Sequence, residues 1–406
     1  MRKTILTILS GMLASAALAA PAGDDRALAI HQRVLTLDSH VDIIAPNNPA
    51  RLYLPDGTLR SDLPKLIKGG LDAIVYCVTA FPGHDDPAGV AEARKEADYK
   101  LGWIKTLVKD NPDKIGLAFS ADDVARLHRQ GKISVLIAFQ NARSIGSDIT
   151  QIDALYKQGV RIFSFNHAGH NAFSDSSRPW QEPLHRNNGL SPLGKDAVKR
   201  LNDLGVLIDV SQLSTESLFQ TVALSRAPVV ATHSAARALF DHIRNLSDAE
   251  LDAIRSKGGV VQVVPFGQYL KPEDAEAARK LDAIAEKYGL KATPDAPYAG
   301  DKFYTLPKEQ QNKIMQEAAQ IPVSQPTLRD YVDHIDYIAR RIGWDHVGIG
   351  SDFNQGGGVT GFDSEADAPN VTRELVRRGY TEKQIAGIWG GNFLRVLRAA
   401  EAARAQ

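Results

Sequence analysis

Cysteine is nearly missing from this chain of 406 residues: Cys77 stands alone. A single thiol excludes an intrachain disulfide and a zinc site built on several cysteines. Cys77 lies inside the apolar run 71–78, which assigns it to core filling. Net charge is missing too, because 48 basic residues balance 48 acidic ones. The sequence therefore offers no electrostatic footprint for nucleic acid or for an anionic membrane. Long hydrophobic runs are scarce. The apolar stretch 5–18 falls short of the roughly 20 residues that span a bilayer. With Arg2 and Lys3 before it and Ala17, Ala19 and Ala20 at its end, it reads as a signal peptide over residues 1–20. No cysteine follows it, and residues 395–406 are charged rather than apolar, so neither end reads as a lipid anchor. The expectation is an exported protein, periplasmic or secreted. Its mature chain, 21–406, forms one domain with no stable membrane insertion.

What is present is an alternation. Eight apolar, β-branched runs cover residues 34–37, 71–78, 133–139, 160–165, 206–210, 228–232, 259–264 and 346–350. Helical patterns fall between most of them, at 89–110, 149–158, 191–204, 214–224, 247–256 and 328–342, and two closing helices follow at 372–378 and 381–389, the latter ending at Gly390-Gly391. Residues 271–325 are charged and alanine-rich and predict a helical insertion. Near-continuous apolar strands alternating with helices imply an α/β fold whose parallel sheet is covered on both faces. Eight units predict a (β/α)8, TIM-like barrel, with its chemistry at the C-terminal ends of the strands.

Polar residues gather at those ends: His40 and Asp42 at the first strand, then Gln140, His167, Gln212, His233 and Asp352. Residues i and i+2 of a strand share a face, so His40 and Asp42 can aim an imidazole and a carboxylate at one point. Nitrogen and oxygen donors of this kind suit Zn²⁺ or a similar divalent ion. Each residue alone also fits a satisfied turn residue. His31, His84, His128, His185, His334 and His346 show no usable spacing and are read as surface or packing residues.

The stretches 37–42 (LDSHVD), 165–167 (FNH), 208–211 (IDVS), 232–234 (THS), 348–353 (GIGSDF) and 390–396 (GGNFLRV) together resemble the membrane (renal) dipeptidase family of the amidohydrolase superfamily. The resemblance covers roughly residues 30–400, in order. It implies a metal-dependent barrel hydrolase acting on dipeptides, commonly with two zinc ions. Carried over, His40 and Asp42 hold the first metal, and His233 is the ligand after the sixth strand. Asp352 is the catalytic aspartate after the eighth strand, beside the water. His167 steadies the scissile carbonyl oxygen. Arg244, in 242–245 (HIRN), grips the substrate carboxylate; a surface pairing of Arg244 with Asp241 or Asp248 is the competing reading. Dimers are common in the family, so a homodimer is one expectation.

Two positions depart from the pattern. Gln140 stands where the family has a bridging glutamate, and Gln212 where it has a histidine. A neutral amide offers one acceptor oxygen and is a weak ligand. The expectation is therefore one Zn²⁺ rather than two, held by His40, Asp42 and Asp352, with His233 joining it or bonding to the water, and Gln140 and Gln212 as weak ligands. The function read from this is an exported, zinc-dependent dipeptidase. The alternatives are an amidohydrolase for another amide or lactone, and an inactive periplasmic binding protein on the same barrel.

Overall fold

Nine strands form, eight of them from the β-branched runs, all paired in parallel and, apart from Arg161 and the last two residues of β3, buried: β1 Leu37–Asp42, β2 Ala73–Thr79, β3 Ile115–Leu117, β4 Ile133–Gln140, β5 Val160–Ser164, β6 Leu207–Asp209, β7 Val230–Ser234, β8 Val260–Val263 and β9 Val347–Ile349. Eight of them follow the order β1-β2-β4-β5-β6-β7-β8-β9, and β3 adds only to the start of β4. The ring is drawn together where Asp42 N donates to Phe353 O (3.1 Å) and Asp352 N to His40 O (2.9 Å). This is the (β/α)8 barrel expected from the alternation. It is a computed structural model that describes residues 23–45, 53–54, 56–179, 185–293, 299–321, 323 and 325–405. The signal-peptide reading of residues 1–20 lies outside them.

Two cores result from strand alternation. Leu37, Val75, Leu136, Ile162, Leu207, Val230 and Val260 fill the barrel interior, joined by Phe393, Val396 and Leu397 of the last helix, Asn392–Ala402. Outward-facing Ile74, Tyr76, Val135, Phe163, Ile208 and Val261 pack under the helices. Helix starts obey their capping residues: Asp86 before Pro87–Asp110, Ser191 before Pro192–Leu204, and Ser247 with Glu250 in a capping box before Asp248–Ser256. The insertion holds the helices Ala275–Lys287 and Lys308–Ala319.

Three boundaries differ from the sequence reading. β1 runs over the motif itself rather than ending at Leu37. β3, three residues containing Gly116, was not anticipated. Gly390-Gly391 does not stop a helix: a π-helical turn, Gly387–Gly391, passes directly into Asn392–Ala402. Gly390 is needed for space, since a Cβ there would lie 2.8 Å from both Cδ2 and the carbonyl oxygen of Leu35. Among the described residues, no helix is long and apolar enough to cross a membrane.

Candidate metal centre

A bulge in β1 builds the first half of the site. Leu37 and Asp38 face Ala73 and Ile74 of β2, and pairing resumes with Val41 opposite Tyr76 and Asp42 opposite Cys77. Ser39 and His40 thus occupy a place where β2 has one residue, Val75. Asp38 stays on the outward side of Ile74, while Asp42 follows Leu37 inward. Asp38 Oδ1 accepts from the amides of His40 (3.1 Å) and Ser351 (2.8 Å), which ties β1 to the segment after β9. Ser39 Oγ crosses the barrel to Thr232 O (2.9 Å) and Ile349 O (3.1 Å), leaving no space for a side chain at Gly350.

His40 Nε2 stands 3.5 Å from Asp42 Oδ2, and Asp352 joins them: donor atoms from all three lie within 4.8 Å of one another. Asp352 reaches in from a left-handed backbone (φ +53°), a conformation uncommon outside glycine that aspartate tolerates better than most residues. Burial, with Asp42 alongside, pushes the Asp352 carboxyl up to about 7. Burial also opposes ionisation of Asp42, but His40 outweighs it and holds that carboxyl below its usual range. His40 is likewise disfavoured by burial, yet Cys77 and Asp42 hold its imidazole well above the ordinary value. Asp42 Oδ1 is buried without a hydrogen-bond partner. An orphaned carboxylate oxygen, a second carboxyl and an imidazole, all buried, are the donor set of a divalent cation, and these residues fit one.

The groups beside it are poorer in donors for a cation. The His233 ring lies against that of His40, with centroids 3.8 Å apart. Its Nε2 is 3.2 Å from Gln212 Nε2 and 3.4 Å from Gln140 Nε2. Gln140 ends β4 and takes the Thr79 hydroxyl on Oε1 (3.2 Å). Gln212 lies past β6, also with positive φ (+66°), and its Oε1 is buried and unpaired. Two amides therefore face the nitrogen a second cation would need.

His167, past β5, is held well below the ordinary imidazole pKa by burial and then by Arg178, so it is neutral. Arg244 is buried, at 3% exposure, and donates to the His233 carbonyl (3.0 Å). It forms no ion pair with Asp241 or Asp248, which corrects the surface reading; Asp248 instead bonds Tyr337. A cavity of about 270 Å³ opens on Gln212, Ser234, Arg237 and Arg244. Arg244 Nε, Ser234 Oγ and Gln212 Oε1 are buried there without partners. The barrel mouth thus brings together every residue singled out from the sequence. Sequence reasoning missed three neighbours. Cys77 touches His40 rather than only filling core. Asp209 and Thr232 link the two histidines from below. Asp209 and Thr232 were in view only as parts of the 208–211 and 232–234 motifs.

Fold and site together define a barrel hydrolase with an acidic, imidazole-bearing cation pocket at the strand ends. The chain belongs to the membrane dipeptidase family, peptidase family M19, whose model matches residues 24–406. The probable dipeptidase PvdM from Pseudomonas aeruginosa is 38% identical, with a TM-score of 0.84 over 94% of this chain and 99% of that one. Dipeptidase tcpJ of Claviceps purpurea is 27% identical over 84% of this chain and 69% of its own length. A Rhodobacter sphaeroides metallopeptidase, solved with a phosphinate mimic of L-Ala-D-Ala, shares the fold at 21% identity, with a TM-score of 0.68 over 90% of this chain and 99% of that one.

Proposed function

We propose that this chain is an exported dipeptidase working with one zinc ion, which His40, Asp42 and Asp352 would hold. The observation that carries this reading is the convergence of those three donor groups on one buried point, with an unpaired Asp42 oxygen among them. When bound, such an ion supplies a Lewis acid and a water acidic enough to ionise near neutrality.

The rest belongs to the protein's own groups. Asp352, buried at the cation pocket beside Asp42, takes a proton from the attacking water and passes it to the departing amine nitrogen. Neutral His167 donates an N–H to the carbonyl oxygen as negative charge develops; loss of such a donor costs on the order of 10²–10³ in rate. Arg244, buried and without a carboxylate partner among the described residues, offers its guanidinium to the substrate's terminal carboxylate. Export rests on the signal-like residues 1–20.

Zinc analysis of the purified protein together with a dipeptide panel tests this. One equivalent of zinc with turnover supports it. Absence of both metal and turnover would favour the binding-protein alternative, which draws on the Gln140 and Gln212 replacements.

A further inference from the structure

The Asp209 carboxylate, acting through one hydroxyl, decides which nitrogen of each site histidine carries a proton. Asp209 Oδ1 accepts from the amides of Ser211 (2.9 Å) and Thr232 (3.0 Å), and Oδ2 takes the Thr232 hydroxyl at 2.6 Å. That donor set belongs to an ionised carboxylate, which can only accept. Thr232 has one hydroxyl hydrogen, and Asp209 takes it. The oxygen of Thr232 is then an acceptor for its two other neighbours, His233 Nδ1 at 2.8 Å and His40 Nδ1 at 3.2 Å. Both imidazoles must donate from Nδ1.

His40, Asp209 and His233 also place donor atoms within 4.8 Å of one another, as a cation site would. Thr232 Oγ1 stands among them at hydrogen-bonding distance from all three, so this cluster is a hydrogen-bond hub and no ion site. Each ring's Nε2 is then turned to the cavity: that of His40, as N–H, toward the Asp42 carboxylate, and that of His233, as an acceptor, toward the amide nitrogens of Gln140 and Gln212. The same logic orients both glutamines, and it leaves Gln140 Oε1 for Thr79.

We infer that Asp209 and Thr232 are positioning residues that keep a proton on Nδ1 of both His40 and His233, which leaves His233 Nε2 an acceptor and makes Nε2 the nitrogen that His40 would turn to a cation. This rests on the metal site argued above, but the arrangement exists without metal and is read without it.

Asp209→Asn gives a directional test. The two backbone amides pin the new carbonyl oxygen to the Oδ1 position, so the new NH₂ faces Thr232 and donates to it. The freed hydroxyl hydrogen turns to the nearer ring, His233, whose own proton must move to Nε2. Nitrogen-15 NMR of the metal-free protein should show His233 protonated on Nδ1 in the wild type and in Thr232→Ser, which keeps the hydroxyl. Asp209→Asn should show it on Nε2. A wild-type His233 protonated on Nε2 overturns the inference, and this reading needs no variant to fold. So does an Asp209→Asn protein with an unmoved tautomer. A wild type that lacks turnover would strike the dipeptidase reading and leave the tautomer result intact.

Discussion

The amide nitrogen of Gln212 stands 3.2 Å from Nε2 of His233, the ring nitrogen that a second cation would need. Gln140 closes from the other side at 3.4 Å. Two dications about 3.5–4 Å apart repel strongly, and a bridging carboxylate offsets that repulsion where a neutral amide does not. The wild type should therefore bind one equivalent of zinc. The double variant Gln140→Glu, Gln212→His should bind two, since it restores an anionic bridge and an imidazole. Elemental analysis after desalting reads both numbers; two equivalents in the wild type would refute the single-ion reading.

The barrel could be read from the sequence because parallel strands buried on both faces leave continuous apolar runs, and helix caps such as Ser191 and Ser247 mark their own positions. β1 was cut short in that reading because Asp38, Ser39 and His40 look like a turn. They are strand residues because the barrel's polar centre and Ser351 satisfy them. Gly390 signalled a helix stop, yet its role is contact with Leu35, which no local pattern reveals. The polar residues at the strand ends were visible one by one. The hub at Thr232 was not, since its meaning depends on distances among β1, β6 and β7 rather than on residue types.

Arg244 should set the demand for a free carboxylate. It is buried and its Nε has no partner, so a substrate carboxylate would meet a desolvated, available donor. Arg244→Ala should raise KM about 10–100-fold for dipeptides, as expected for loss of a charge-assisted contact worth roughly 1.5–3 kcal/mol. The same dipeptides with amidated C-termini should be little affected. An equal KM rise for both would remove Arg244 from carboxylate binding.

Replacing Asp352 separates proton transfer from metal binding. Asp352→Asn keeps the shape and an acceptor oxygen but cannot hold a proton between water and amine. Turnover should fall by at least about 10²-fold, in the range for loss of a general base. Zinc should stay largely bound through His40 and Asp42. Steady-state kinetics alongside zinc analysis would show this, and undiminished kcat would exclude Asp352 from the proton path.

Gly390→Ala should weaken the fold without touching the cation pocket. The added methyl would meet Leu35 Cδ2 and O at 2.8 Å, and backbone cannot move aside as a side-chain tip can. Overpacking of this kind costs about 1–3 kcal/mol. Urea unfolding should show a lower midpoint, with kcat of the folded fraction near wild type. An unchanged midpoint would mean that the turn between Gly387 and Gly391 relaxes freely.

Acid should destabilise the protein partly through His31, far from the mouth of the barrel. Burial holds its imidazole below the ordinary pKa, against smaller opposing effects from Gly69 and Asp72. The Trp389 indole donates to Thr372 Oγ1 (2.8 Å), leaving the Thr372 hydrogen for His31 Nδ1 (2.7 Å), while His31 Nε2–H reaches Gly69 O (2.8 Å). Only the neutral ring fits this chain of donors. The unfolded protein takes up the proton first, near the ordinary value of about 6.5, so the stabilisation is present above that pH and is lost as pH falls. Each such proton contributes a slope of up to about 1.4 kcal/mol per pH unit. Urea midpoints of metal-free protein between pH 7 and pH 5 should therefore fall less steeply in His31→Gln than in the wild type. Parallel slopes would show that His31 takes up its proton equally in both states.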